Sequence, residues 1–228
     1  MENKINRVLD REIRFDEKSK NYPIREILKS TRLRNKTWKC PVHLDQGREG
    51  ACVGFAWAHE LRAVPYEIPV TDKTARTIYY AAQQWDRWAG TDYEGTSVLA
   101  GAKTVSSIGF MPVYRWAFGI DDVLATLSNH GPIVLGINWY TGMYFPDENG
   151  FIKPTGPIAG GHAILATGIQ VRERKGFWWH NIAEPVVRLH NSWGAGYGVG
   201  GDAFILASDL ERLLKENGEA CVPVERDR

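Results

Sequence analysis

The chain has 228 residues, of which 43% are hydrophobic and 24% are charged, with a net charge of +1. These values indicate a soluble globular protein of one domain, or one two-lobed domain, rather than several independent domains. Its apolar runs are too short to span a bilayer and no apolar stretch follows Met1, so we expect no membrane association and a cytoplasmic location. Three cysteines cannot all pair with one another, which favours a reducing compartment.

Residues 1–39 are predicted to form a basic N-terminal extension before a folded body of residues 40–228. The extension has 12 Lys and Arg residues against 6 Asp and Glu, whereas the body has 16 against 21. No nucleic-acid motif accompanies the excess positive charge, so we expect no nucleic-acid partner. We expect the extension to lie against the acidic body of its own chain.

The first half of the body is predicted to be helical. Residues 52–64 are apolar on nearly every side and stop at Pro65, which predicts a buried central helix. Three further helices are predicted, one after Thr71 and Asp72, one from about Thr96 to near Gly109, and a short one from Asp121 to Gly131.

The second half of the body is predicted to be mainly strands. Short apolar runs predict them at 132–140, 162–170, 176–180, 185–191 and 203–206. Ser208 with Glu211 predicts a capping box that opens a last helix, which ends before Gly218. Helices followed by strands predict an α+β protein, with a helical lobe at about 46–118, a sheet lobe at about 119–228 and a substrate cleft between them.

A cysteine at the start of the buried helix is the first candidate for chemistry. The unpaired N–H groups and the positive dipole end of a helix N-terminus favour a thiolate, so Cys52 is placed to act as a nucleophile. Gln46 lies six residues earlier, and its side-chain amide together with the Cys52 backbone N–H could hold an oxyanion. Taken alone, Cys52 would be interpreted as a small buried hydrophobe, which is the usual role of a free cysteine.

Two further motifs supply a base and a group to orient it. His162 follows Gly160 and Gly161 at the start of an apolar strand, and the Asn191 side chain could accept the imidazole N–H. Trp193 would shield that hydrogen bond from water, which strengthens it.

Other residues compete for these roles. His190 adjoins Asn191, but alternation along a strand should point it away from the site. Cys40, His43 and Cys52 lack the second ligand pair of a zinc site, so we expect no metal.

These motifs together resemble the papain family of cysteine peptidases. The resemblance runs from Pro41-Val42 through Gln46 and Cys52 to His162 and the Asn191-Ser192-Trp193-Gly194 block, and includes the aromatic Phe204. It implies a fold with a helical lobe and an antiparallel sheet or barrel lobe, with the site at their junction. It also implies that Cys52, His162 and Asn191 form the catalytic triad and that Gln46 completes the oxyanion hole.

The sequence departs from the family pattern near the nucleophile. Glu49-Gly50-Ala51-Cys52-Val53 stands where the family has Cys-Gly-Ser-Cys-Trp, so one partner of a usual family disulfide is missing. The usual long inhibitory propeptide is also missing, and only the short extension could take its place. The resemblance implies that Gly95, Gly160, Gly161 and Ala163 line the unprimed substrate subsites, and we expect Trp193 to be a substrate-binding residue as well.

The leading hypothesis is therefore a cysteine endopeptidase, a hydrolase that cleaves protein or peptide substrates through a thioester acyl-enzyme without a cofactor. Two alternatives stay open. The same triad could cleave cell-wall peptide amides or isopeptides, or the chain could be a non-catalytic binding module that kept the fold. We expect a monomer.

Overall fold

A computed structural model describes residues 7–86, 94–172 and 184–224 of the chain. Within these ranges the chain forms five α-helices and nine strands. In chain order they are β1 (Arg11–Glu12), β2 (Lys36–Thr37), α1 (Cys52–Arg62), α2 (Asp72–Gln83), β3 (Thr96–Ser97), α3 (Val98–Ser107), β4 (Val113–Trp116), α4 (Ile120–Asn129), β5 (Ile133–Tyr140), β6 (Ile158–Arg172), β7 (Glu184–His190), β8 (Asp202–Leu206), α5 (Ala207–Lys215) and β9 (Glu219–Val224).

Seven of the strands form one antiparallel sheet. Their order is β4-β9-β5-β6-β7-β8, and β2 pairs with the far end of β6. The strands at the two ends, β4 and β8, are not paired with each other, so the sheet is open. The α+β prediction is confirmed. The second lobe was expected to be an antiparallel sheet or a barrel, and the structure shows the sheet.

Two hydrophobic cores lie on opposite faces of this sheet. One contains α1, α2 and α3 together with Val134, Ala163 and Leu165, which the sheet contributes from one face. The other contains α4, α5 and residues of the opposite sheet face, such as Leu135 and Ile164, which alternate along β5 and β6 with the three residues named above. In α1 every residue from Cys52 to Leu61 is buried, which explains why that helix has no polar face.

The predicted helices are present with small differences at their ends. The third starts at Val98 rather than Thr96, because Thr96 and Ser97 form β3 and the Ser97 hydroxyl caps the helix. The capping box predicted at Ser208 is wrong. Helix α5 already begins at Ala207, so Ser208 lies inside its first turn and its hydroxyl bonds to Glu184 instead.

The strand predictions were less complete. Strand β6 begins at Ile158, four residues before its predicted start, and the predicted strand 176–180 lies outside the described residues. The sequence interpretation missed β4 and β9. Strand β9 contains Pro223 and is only six residues long, yet it is paired on both sides, by β4 and β5.

The described part of the N-terminal extension lies along the surface of the body. Its strand β1 pairs with β3, β2 pairs with β6, and Ile24 is fully buried. Ion pairs join Arg25 to Asp122 and Glu26 to Arg115, both at 2.6 Å. In the part of the chain that the structure describes, no helix is both long and apolar enough to cross a membrane.

Candidate active site

Cys52 is the first residue of α1, and its side chain is completely buried. The backbone N–H groups of Ala163 on β6 and of Asp10 in the N-terminal extension lie close enough to its sulfur to favour the thiolate form. The sulfur therefore lies where the helical lobe meets the strand that carries His162. The three cysteines of the chain are free, so no disulfide constrains this junction.

His162 is held by a hydrogen bond of 2.9 Å between its Nε2 and the Oδ1 of Asn191. The backbone N–H of Ser192 donates to the same oxygen at 2.8 Å, and since an N–H group only donates, that atom must be an acceptor. Nε2 of His162 is then the donor, and in the neutral ring Nδ1 carries the lone pair. Among the described residues Nδ1 has no hydrogen-bond partner, so it is available to take up a proton.

Aromatic rings enclose the imidazole of His162. The ring of Trp139 meets it edge to face at 4.8 Å between centroids, and Trp193 lies at 5.1 Å. Tyr144 stacks on the other side of Trp193 at 5.4 Å. These rings keep water from the His162–Asn191 hydrogen bond, as predicted for Trp193.

Gln46 is completely buried and is oriented by a residue that the sequence interpretation missed. The Ser192 hydroxyl donates to Oε1 of Gln46 at 2.6 Å, which turns Nε2 towards the cleft. Nε2 donates to the carbonyl oxygens of Glu49 at 2.9 Å and Val8 at 3.2 Å. The one sequence signal for Ser192 as the residue that orients Gln46 was its position directly after Asn191.

His190, the rival base, lies on the opposite face of its strand from Asn191, and its ring packs against that of His59 on α1 at 4.5 Å between centroids. Its Nδ1 bonds to Asp202 and its Nε2 to the Val42 carbonyl, each at 2.7 Å. Both partners are acceptors, so both ring nitrogens must carry protons and the ring is a cation. Burial alone would lower the pKa of His190, but the hydrogen bond to Asp202 raises it to about 10. His190 is thus a structural cation.

Residues 7–12, here called the cleft segment, occupy the groove between the two lobes. On one side β1 runs parallel to β3, and on the other Asp10 pairs with Gly161. A Cβ atom on Gly95 or Gly161 would collide with the segment's backbone, and one on Gly160 would lie 2.8 Å from the Leu9 carbonyl oxygen. Of the five positions that the sequence suggested for substrate binding, Gly95, Gly160 and Gly161 therefore line this groove, and the Trp193 ring lies under Arg7 of the segment. The fifth, Ala163, is buried further along β6.

Burial dominates the ionisation of Cys52 and His162. Burial raises the pKa of the Cys52 thiol to about 11, although the two N–H donors and the charge of Arg11 oppose the shift. Burial likewise lowers the pKa of His162 to about 4, against the effect of the Asn191 hydrogen bond. Both groups are consequently neutral near pH 7 while the cleft segment is in place.

No protein-family model matches the sequence, and no curated protein matches it either. Among solved structures, xylellain, a cysteine protease from Xylella fastidiosa, is 18% identical with a TM-score of 0.69, and the match covers 98% of this chain and 97% of xylellain.

Two precursor structures are also similar. Procathepsin L2 from the larval midgut of Tenebrio molitor is 17% identical with a TM-score of 0.57, over 96% of this chain and 79% of that chain. Procathepsin B from Trypanosoma congolense is 15% identical with a TM-score of 0.55, over 96% and 87%. The chain therefore has the fold of the papain-like cysteine proteases.

Proposed function

We propose that this protein is a cysteine endopeptidase, with Cys52 as nucleophile, His162 as acid and base, and Asn191 orienting His162. The observation that carries the proposal is the contact of the Cys52 sulfur with the Ala163 N–H, one residue from an imidazole whose Nδ1 is unbonded among the described residues. A nucleophile beside an oriented base is the arrangement that acyl transfer needs.

The reaction would proceed in two halves. The thiol proton passes to Nδ1 of His162, and the thiolate attacks the scissile carbonyl carbon of the peptide. The Nε2 group of Gln46 and the backbone N–H of Cys52 stabilise the oxyanion. The imidazolium then protonates the leaving amine, which leaves a thioester on Cys52. A water molecule, deprotonated by His162, hydrolyses the thioester and restores the thiol.

A protein or peptide substrate would take the place of the cleft segment. The groove pairs with that segment mainly through its backbone, and the same contacts with Gly95, Gly160, Gly161 and Ala163 are open to any extended peptide. Trp193 would lie beside the bound chain, as it now lies beneath the Arg7 guanidinium at 5.9 Å. Because the cleft segment and a substrate need the same space, cleavage requires the segment to leave.

The test is peptide cleavage by a variant that lacks residues 1–16. This deletion removes the cleft segment but keeps the buried Ile24 and strand β2, which pack on the body. We expect the variant to cleave peptide libraries, and the same variant with Cys52→Ala or His162→Ala to be inactive. Cell-wall peptides cleaved without any cleavage of ordinary peptides would contradict the endopeptidase proposal. Equal, slow alkylation of all three cysteines would indicate a non-catalytic module.

A further inference from the structure

A small pocket lies where the end of the N-terminal extension meets the sheet. Its volume is about 90 Å³, and the polar residues that concern us here are Lys39 from the extension, Thr167 on β6, Arg188 and His190 on β7, and Asp202 on β8. A water molecule in the liquid occupies about 30 Å³, so the pocket has room for a small polyatomic ion. Neither the candidate nucleophile nor its base is among the residues that line it. The pocket is therefore separate from the candidate active site.

Thr167 brings a buried hydroxyl to this pocket. Strand β6 is irregular at this point, because Ala166 pairs with Leu189 and Gly168 pairs with Arg188, which leaves Thr167 without an opposite residue on β7. Such a bulge changes the direction of a side chain. Thr167 is only 2% exposed, and its hydroxyl has no hydrogen-bond partner among the described residues. A buried hydroxyl without a partner is unfavourable, so a ligand that accepts its hydrogen bond is favoured here.

The charged groups that line the pocket leave an excess of positive charge. Both oxygens of the Asp202 carboxylate are already bonded, Oδ1 to His190 at 2.7 Å and Oδ2 to Nε of Arg188 at 3.1 Å. His190 is a cation because both of its ring nitrogens face acceptors, and the Arg188 guanidinium is always charged. With the ammonium group of Lys39, three positive charges therefore stand against one negative charge. The ligand that this balance favours is an anion.

We propose that this pocket is a binding site for a small oxyanion with four oxygens, such as inorganic phosphate or sulfate. The Thr167 hydroxyl donates to the ion, and so does Nη1 of Arg188, which has no partner among the described residues because Asp202 takes Nε and Nη2. Lys39 is exposed and adds its charge from the open side. The ion then ties the end of the N-terminal extension to β6 and β7. This site does not depend on peptidase activity.

The test compares the full-length chain with its variant Thr167→Val, which keeps the shape of the side chain and removes the hydroxyl. Binding of inorganic phosphate is measured by isothermal titration calorimetry in a chloride buffer of constant ionic strength. We expect saturable binding to the wild type and binding about tenfold weaker to Thr167→Val, since a hydrogen bond to a charged group contributes at least that factor. Thr104→Val is the matched control. The Thr104 hydroxyl is also buried and without a partner among the described residues, but it lies on α3, away from the pocket.

Urea unfolding gives a second measurement that also checks the folding of the variant. In chloride, Thr167→Val should be at least as stable as the wild type, because the hydroxyl that it removes has no partner among the described residues. Added phosphate should raise the unfolding midpoint of the wild type until the site is saturated, and should raise that of Thr167→Val much less. The general stabilisation of proteins by phosphate would raise both midpoints alike and would not level off.

Three outcomes would overturn the oxyanion site. The first is equal affinity of the wild type and Thr167→Val for phosphate. The second is the absence of saturable binding to the wild type with phosphate and with sulfate. The third is a loss of stability in Thr167→Val that is already present in chloride, which would show that the hydroxyl has a partner without the ion.

Discussion

Asp10 connects the cleft segment to the candidate nucleophile Cys52 through the peptide backbone. Its backbone N–H lies near the Cys52 sulfur and favours the thiolate form, while its carbonyl oxygen accepts a hydrogen bond of 3.2 Å from the N–H of Thr96 on the opposite wall. The same residue thus bridges both sides of the groove and covers the sulfur. Movement of this segment should change both access to the sulfur and its ionisation.

Deletion of residues 1–16 should make Cys52 far more reactive. Water then reaches the sulfur, so the pKa of the thiol should fall from about 11 towards the ordinary value. At pH 7 this change of thiolate fraction alone predicts alkylation faster by about 100-fold. The measurement is the rate of iodoacetamide labelling at Cys52, with Cys221 as an internal control because it stays buried. Equal rates in the deleted and full-length chains would show that the cleft segment does not shield the sulfur.

Docking of the cleft segment should weaken as the pH rises through about 6. Burial, with the nearby charge of Glu94, raises the pKa of Asp10 from 3.8 to about 6 in the docked state. Docking therefore takes up a proton, so the Asp10 contribution is complete below about pH 3.8 and is lost above about pH 6. Cys52 labelling in the full-length chain should accelerate across this range by more than the thiolate fraction explains.

The variant Asp10→Asn isolates this effect, because its amide is neutral at every pH in the range. We expect its labelling rate to lack the added acceleration and to be slower than that of the wild-type chain at pH 7. Glu17→Gln is a suitable control, since it changes an exposed carboxylate of the N-terminal extension that is not among the causes of the Asp10 shift. An identical pH profile for Asp10→Asn and the wild type would show that titration of Asp10 does not control docking of the cleft segment.

Substitution of Ser192 by alanine should slow catalysis without preventing it. The variant loses the 2.6 Å hydrogen bond that orients Gln46, while the Gln46 amide itself remains. A single hydrogen bond of this kind contributes about 1.4 kcal/mol, so kcat should fall about tenfold with little change in KM. Steady-state kinetics in the chain without residues 1–16 would measure this. Ser208→Ala, which removes an exposed hydroxyl bonded to Glu184, should have no effect.

The buried pair of His190 and Asp202 should stabilise the fold in a pH-dependent way. Asp202→Asn leaves the His190 cation without its counter-ion, which should lower the free energy of unfolding by about 3 kcal/mol at pH 7. In the wild type the pKa of His190 is raised from 6.5 to about 10, so its contribution is complete below pH 6.5 and is lost as the pH rises through about 10. Urea unfolding between pH 7 and 10.5 should show this decline.

The decline should be absent in Asp202→Asn, and a control at an exposed ion pair, Glu17→Gln, should behave as the wild type does. If Asp202→Asn lost stability with the same slope as the wild type, His190 would not be the titrating group. The geometry supports His190 as the titrating group, because both of its ring nitrogens face hydrogen-bond acceptors.

Local patterns in the sequence were enough to predict the main helices and the α+β class. Helix α1 is apolar all round and ends before a proline, and the Thr71 cap marks the start of α2. Strand β9 could not be predicted in the same way, because six residues after a helix carry no periodicity of their own. Its place between β4 and β5 is set by pairing partners that are distant in the chain.

Residue types and local settings, together with the resemblance to the papain family, single out Gln46, Cys52, His162 and Asn191 as candidates, because each proposed role needs a particular side chain. Only the tertiary structure decided what surrounds them. It brought the hydroxyl of Ser192 to Gln46, the cleft segment onto the sulfur of Cys52, and Arg11 onto Glu219, which is 208 residues away in the chain. Such contacts depend on how separate elements pack, and no local pattern encodes that packing.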